Sequence, residues 1–223
     1  MPLPLIDLFK TPYDDDYHDC KLSTPYQAAV HAAKTYGGDQ GLSFHIDDAL
    51  EKNSSWLFSM PKTLPGVLDT YQCHSSFCNL NQVSETINLY GCTVTAGQFL
   101  FHGGKWPVGY LRGAMFETIR PFSTTLCPNI AMGVPQFHGR AYHNNALDLF
   151  VLRVRQARTK AFFFDNEDPD SGHEKELVFS RGVKLTLVSC KEIKTIPVSD
   201  FVIGSLVQNT KDVPVRVLEV DIS

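Results

Sequence analysis

The spacing of hydrophobic and polar residues changes near residue 90, from a helical pattern to a strand pattern. Before this point, Thr24-Pro25 has the form of a helix N-cap followed by proline at the first helical position. The alanine-rich residues 28–33 favour a helix, which Gly37-Gly38 would end. Weaker patterns predict a second helix over residues 46–52 and a third that runs from Pro65 through Tyr71 towards Val83.

After residue 90, short alternating or aromatic runs predict β-strands. A helix between Pro128 and Asn145 is only weakly indicated. The sequence therefore predicts an α+β fold, in which a helical lobe over residues 1–90 belongs to the same domain as a mostly antiparallel β core over residues 91–223. The predicted strands cover residues 98–102, 121–125, 149–155, 161–164, 177–179, 184–189 and 215–222.

The composition is ordinary for a globular protein, with 43% hydrophobic and 20% charged residues among 223. The formal net charge is -4 and the chain has no Lys/Arg cluster, so we do not expect it to bind nucleic acid. No apolar run approaches the ~20 residues that cross a bilayer. The N-terminus lacks the basic and apolar regions of a Sec signal peptide. We therefore expect a soluble protein that acts in a cytosol, with secretion into a host cell by a route without a Sec signal as an alternative.

Six cysteines are spread along the chain, and the closest two, Cys73 and Cys78, have four residues between them. Zinc-binding pairs usually have two. A chain of this length can build a core without disulfides. The sequence therefore predicts reduced thiols, most of them buried.

Three short segments carry the candidate chemistry. The first ends an apolar strand with His102-Gly103-Gly104, where glycine would let a ligand approach the backbone. The second places the hydroxyl residues Ser123-Thr124-Thr125 after an aromatic residue. In the third, Glu174-Lys175-Glu176, the period of a strand would direct both carboxylates to one face. Taken singly, each has a plain structural explanation as well: a capped histidine, a half-exposed strand and a solvated loop edge.

Taken together, the order and spacing of these segments resemble the ADP-ribosyltransferase superfamily. The serine segment follows the histidine by about 20 residues, and the glutamate segment follows about 50 residues later. The family has Arg or His on its first strand, Ser-Thr-Ser on its second, and Glu-x-Glu or Gln-x-Glu before its third. The resemblance covers roughly residues 95–223 and implies a split β-sandwich core. The chain departs from the usual toxin pattern at His102 for Arg, Thr125 for Ser, and Ser180 for Pro.

This resemblance implies a mono-ADP-ribosyltransferase that uses NAD as its substrate and needs no metal. Glu176 would be the main catalytic residue, with Ser123 holding it. His102, Gly103, Ser123, Thr124 and Thr125 would bind NAD. Glu174 would orient or deprotonate the acceptor on a target protein, which is arginine by default, with threonine or serine as alternatives. A compact enzyme of this kind suits a secreted bacterial effector or toxin that acts on a host protein.

Other functions compete with this interpretation. The fold could serve as a binding module without turnover. A metal-dependent β-barrel enzyme would use His102, His138 and His143, although no matching carboxylate follows them. A hydrolase built on Ser123 and His102 would lack the usual Gly-x-Ser-x-Gly turn. Phe137 and Tyr142 are aromatic candidates for contact with the nicotinamide ring or the target, and packing is the simpler role for both.

Overall fold

The computed structural model describes residues 2–15, 19–74, 78–156, 158–164, 175–201 and 208–223. Helices dominate up to residue 90 and strands dominate afterwards, which confirms the predicted α+β class. The helices are α1 (Pro25–Thr35), α2 (Gln40–Glu51), α3 (Gly66–His74), α4 (Leu80–Tyr90), α5 (Pro128–Gly133) and α6 (Arg140–Asn144), with 3-10 helices at Ser54–Ser59 and Val134–Gly139. The strands are β1 (Tyr13–Asp15), β2 (Cys20–Leu22), β3 (Phe99–Gly104), β4 (Met115–Glu117), β5 (Phe122–Thr125), β6 (Leu147–Val154), β7 (Ala161–Phe163), β8 (Glu176–Phe179), β9 (Lys184–Phe201) and β10 (Gln208–Ile222).

Capping residues set the helix boundaries. The Thr24 hydroxyl accepts a hydrogen bond from the Gln27 N–H, so α1 begins where the sequence predicted. Helix α2 begins six residues earlier than predicted, because Asp39 caps it by accepting from the Leu42 N–H. The prediction of a single third helix is wrong. The segment is two helices, α3 and α4, and the Asn79 side chain caps the start of the second.

An eight-stranded sheet forms the β core, in the order β4-β9-β10-β6-β3-β5-β8-β7. All neighbours are antiparallel except β6 and β10, which are parallel. Strands β3 and β5 share a single residue pair, Phe101 with Thr125. The sheet is therefore split into a five-stranded and a three-stranded part, as the predicted split sandwich requires.

The last two strands form a hairpin that extends well beyond the predicted ends. Strand β9 covers 18 residues, although the sequence pattern predicted its end at Ser189. Among the described residues, the distal half of β9 pairs with β10 alone, so Pro197 and Pro214 lie where the hairpin has open edges. The distal parts of the two strands contact α6, since Asp200 of β9 lies 3.3 Å from His143 and the Lys211 ammonium of β10 lies 4.0 Å from the Tyr142 ring centroid.

One hydrophobic cluster joins the N-terminal helices to the sheet. Leu42 and Ile46 of α2 are buried together with Leu100 of β3 and Leu177 of β8. The Trp56 ring also packs edge-on against Phe163 of β7, with ring centroids 5.3 Å apart. The first ninety residues thus cover one part of the sheet that carries the candidate site.

Two further predictions concern the membrane and the cysteines. Across the described ranges, we find no helix with the length and apolar character that spanning a bilayer requires. All six cysteines fall within these ranges and none forms a disulfide. Cys127 is buried and the other five are partly or fully exposed, so the prediction that most thiols are buried is wrong.

Candidate active site

The pairing of β5 with β8 brings the serine and glutamate segments together. Thr125 lies opposite Glu176, and Ser123 lies opposite Val178. Because side chains alternate along a strand, Ser123, Thr125 and Glu176 share one face. The Ser123 hydroxyl donates a short hydrogen bond to Oε1 of Glu176. Glu176 is only 8% exposed, so its carboxylate, held by the Ser123 hydroxyl, has little contact with solvent.

His102 lies where β3 and β5 separate. Continuing the register from Phe101 and Thr125 would pair Gly103 with Ser123, but the His102 ring bonds the Ser123 carbonyl instead, at 2.8 Å from Nδ1. The ring packs against Phe122 and Phe150, with centroids at 4.6 and 5.2 Å. A carbonyl can only accept, so Nδ1 carries the proton and Nε2 is left as an acceptor.

Burial among these groups lowers the pKa of His102 to about 4, against an opposing effect from the bond to the Ser123 carbonyl. The ring is therefore neutral at neutral pH. It offers the cleft a hydrogen-bond acceptor and no positive charge.

Packing explains the two glycines that follow His102. A Cβ on Gly103 would lie 1.7 Å from the Ala131 carbonyl oxygen, because α5 crosses β3 at this point. A Cβ on Gly104 would lie 2.9 Å from Nε2 of His102. The close packing of α5 on β3 is thus sufficient to require glycine at position 103, without the approach of a ligand. Backbone groups alternate between the two neighbouring strands, so the N–H and C=O of Gly103 point to the same side as those of Phe101, towards β5.

The two threonines of the second segment use their hydroxyls locally. Thr124 faces away from Ser123 and donates to the Leu177 carbonyl at 2.7 Å. The Thr125 hydroxyl accepts from the Cys127 N–H at 3.1 Å, at the start of α5. Glu174, the predicted acceptor residue, lies outside the described residues.

These segments line one cleft of about 590 Å³, a volume typical of small-molecule sites. All the predicted NAD-binding residues border it, together with Glu176. Sequence reasoning missed the contribution of the helices: Tyr71 and Gln72 of α3, and Arg140 and Asn144 of α6. No local pattern marks these four residues, since only the packing of their helices directs them to the cleft. Arg140 supplies a positive charge to its lining.

The geometry weighs against the hydrolase alternative and leaves the metal alternative untested at His138. Within the residues that can be described, no group of three or more His, Cys, Asp or Glu side chains is placed to hold a metal ion. The side chains of Phe137 and His138 lie outside that set. A serine hydrolase needs a histidine bonded to its serine hydroxyl, but Nδ1 of His102 bonds the Ser123 carbonyl and the hydroxyl bonds Glu176.

Comparison of the sequence with protein-family models and with curated proteins gives no match. Some solved structures are similar in part. C3larvin toxin, an ADP-ribosyltransferase from Paenibacillus larvae, is 10% identical over 78% of this chain and 93% of its own, with a TM-score of 0.43. The ADP-ribosylating toxin BECa of C. perfringens, solved with NADH, is 10% identical over 87% of this chain and 48% of its own, with a TM-score of 0.46.

A third similar structure is the enzymatic component C2-I of the C2 toxin from Clostridium botulinum. It is 10% identical over 78% of this chain and 47% of its own, with a TM-score of 0.41. The present chain thus spans about half the length of that component. The three proteins are bacterial toxins, and two are described by the activity of the superfamily that the sequence segments resemble. The likeness is remote, so the function has to be argued from the residues of the cleft.

Proposed function

We propose that this protein is an NAD-dependent mono-ADP-ribosyltransferase. The observation that carries the proposal is the buried Glu176 carboxylate, held by the Ser123 hydroxyl in a cleft that His102 and Gly103 also border. Transfer of ADP-ribose breaks the bond between nicotinamide and C1′ of the ribose, and the bonding electrons leave with the nicotinamide. Positive charge then develops on the ribose ring, as in glycoside hydrolysis.

In this proposal, Glu176 would stabilise this charge. A fixed carboxylate that is little exposed to water interacts more strongly with a developing cation than one in bulk solvent. The Ser123 hydroxyl restricts the carboxylate to one orientation, so it need not reorganise during the reaction. Glu176 would also accept a hydrogen bond from a hydroxyl of the nicotinamide ribose.

The other residues of the cleft would bind the rest of NAD. Nε2 of the neutral His102 would accept from a ribose hydroxyl, and the backbone of Gly103 would bond the nicotinamide amide. Arg140 borders the cleft and would bind the pyrophosphate, for which a guanidinium is well suited. Thr124 and Thr125 would contribute through the backbone geometry that their hydroxyls fix.

The acceptor would be a protein side chain, with arginine as the default and threonine or serine as alternatives. The acceptor nitrogen or oxygen bonds to C1′ and loses a proton, which Glu174 would take. This assignment rests on the family resemblance of the Glu-x-Glu segment. On the same basis we propose a secreted effector or toxin whose target is a host protein.

The test is to measure nicotinamide release from NAD, and protein labelling in a cell lysate, by the wild-type protein and by Glu176→Gln. We expect slow NAD hydrolysis and labelling by the wild type, and a loss of about a hundredfold or more in Glu176→Gln, the usual size for removal of a group that stabilises transition-state charge. A wild-type protein that binds NAD in calorimetry but neither hydrolyses it nor labels protein would reject the enzyme and leave the binding module.

A further inference from the structure

Lys175, which separates the two glutamates of the third segment, is held in an unusual way. Its side chain is 7% exposed, and its ammonium lies 2.9 Å from Oδ1 of Asp47 on α2. Its backbone is left-handed, with φ of 47°, a conformation that lysine rarely adopts. The Lys175 carbonyl also accepts from the Leu126 N–H at 3.2 Å. The residue directly before Glu176 is therefore fixed by side chain and backbone alike.

Each of these contacts has a physical consequence for Glu176. A buried ammonium costs free energy unless it is paired, so Asp47 strongly favours the conformation that keeps Lys175 in place. Lys175 directly precedes β8, so holding its side chain on α2 and its carbonyl on the Leu126 N–H restricts where Glu176 begins the strand. The left-handed turn at Lys175 sets the point at which the chain enters β8. Helix α2, which contributes nothing to the cleft lining, is thereby connected to the carboxylate.

We propose that Lys175 and Asp47 form a positioning pair for Glu176. The pair contacts neither NAD nor the acceptor. It holds the start of β8 in the position where the Glu176 carboxylate accepts from the Ser123 hydroxyl. The inference rests on the proposed function, because its effect is measured through Glu176.

The experiment measures kcat and KM for NAD hydrolysis in variants of Asp47, which is 41% exposed and tolerates substitution better than the buried lysine. Asp47→Ala is expected to lower kcat by about ten- to a hundredfold, the range that loss of supporting interactions and small displacements of a catalytic group produce, with little change in KM. Asp47→Glu, which retains the carboxylate, should recover most of the rate. Asp48→Ala is the matched control, since it removes the same charge from the next, exposed position of α2.

A second arm separates positioning from general destabilisation. In a Glu176→Gln background, Asp47→Ala should change the residual rate by less than about twofold, because the group that it positions is already gone. If Asp47→Ala does not fold, Asp47→Asn keeps the size and an oxygen acceptor and takes its place in both arms. Thermal unfolding of every variant checks that the rates refer to folded protein.

The outcomes distinguish the two levels of the proposal. If the wild type does not hydrolyse NAD, the proposed function fails and the positioning role fails with it. If the wild type is active and Asp47→Ala matches Asp48→Ala, only the positioning pair is rejected. The pair is also rejected if Asp47→Ala lowers the rate equally with and without the Glu176 carboxylate.

Discussion

Removing the Ser123 hydroxyl tests whether the bond to Glu176 is used in catalysis. Ser123→Ala deletes a hydrogen bond to the carboxylate of Glu176, a residue that is 8% exposed. A hydrogen bond to a charged group is worth about 1.5–3 kcal/mol. If the transition state uses the whole of this, kcat falls by about tenfold to a hundredfold, at ~1.36 kcal/mol for each factor of ten. The cleft can admit a water molecule in place of the hydroxyl, so we expect a value nearer the lower end.

The assay is nicotinamide release at saturating and limiting NAD, which separates kcat from KM. Ser84→Ala is the matched control, because Ser84 is also a buried serine whose hydroxyl is hydrogen-bonded, here as an acceptor from the Arg181 N–H at 3.3 Å. It lies outside the cleft lining. If Ser123→Ala stays within twofold of wild type, or if both variants lose the same activity, the bond has no catalytic role.

Three further predictions concern stability. The pKa of His102 is lowered from 6.5 to about 4, so between these pH values the unfolded chain binds a proton more readily than the folded one. The free energy of unfolding therefore decreases as the pH is lowered, by up to ~3 kcal/mol at ~1.36 kcal/mol per pKa unit. Urea unfolding at pH 7 and pH 5 measures this decrease, and His102→Asn should show a smaller decrease than the wild type. An equal decrease in both proteins would reject the reasoning. Gly103→Ala drives a methyl group into the Ala131 carbonyl and should cost about 3 kcal/mol or more in thermal unfolding, whereas Gly109→Ala, with open space around it, should cost under about 1 kcal/mol; similar losses would contradict the packing argument. A chain that lacks residues 1–90 should show no cooperative melt in circular dichroism, because those residues share a core cluster with the sheet; a cooperative transition would show that the β part folds alone.

Local signals in the sequence were sufficient for much of the fold. Thr24-Pro25 marked the start of α1, and the alternating residues of β6 marked that strand to within two residues. Such signals work because caps and side-chain alternation depend on neighbours a few residues apart. They failed where the partner was distant. Strand β9 continues past Ser189 because β10 pairs with it, and a polar surface pattern does not show that pairing.

The sequence by itself determined which residues are candidates: His102, Ser123 and Glu176 stood out by their order and spacing. Only the tertiary structure decided how they meet. The bond between Ser123 and Glu176 joins residues 53 apart, and the one between His102 and Ser123 joins residues 21 apart. The tertiary structure also brought Asp47 to Lys175 and Arg140 to the cleft. The register of β5 against β8 and the separation of β3 from β5 set these contacts. Both depend on how the whole core packs, which no short stretch of sequence specifies.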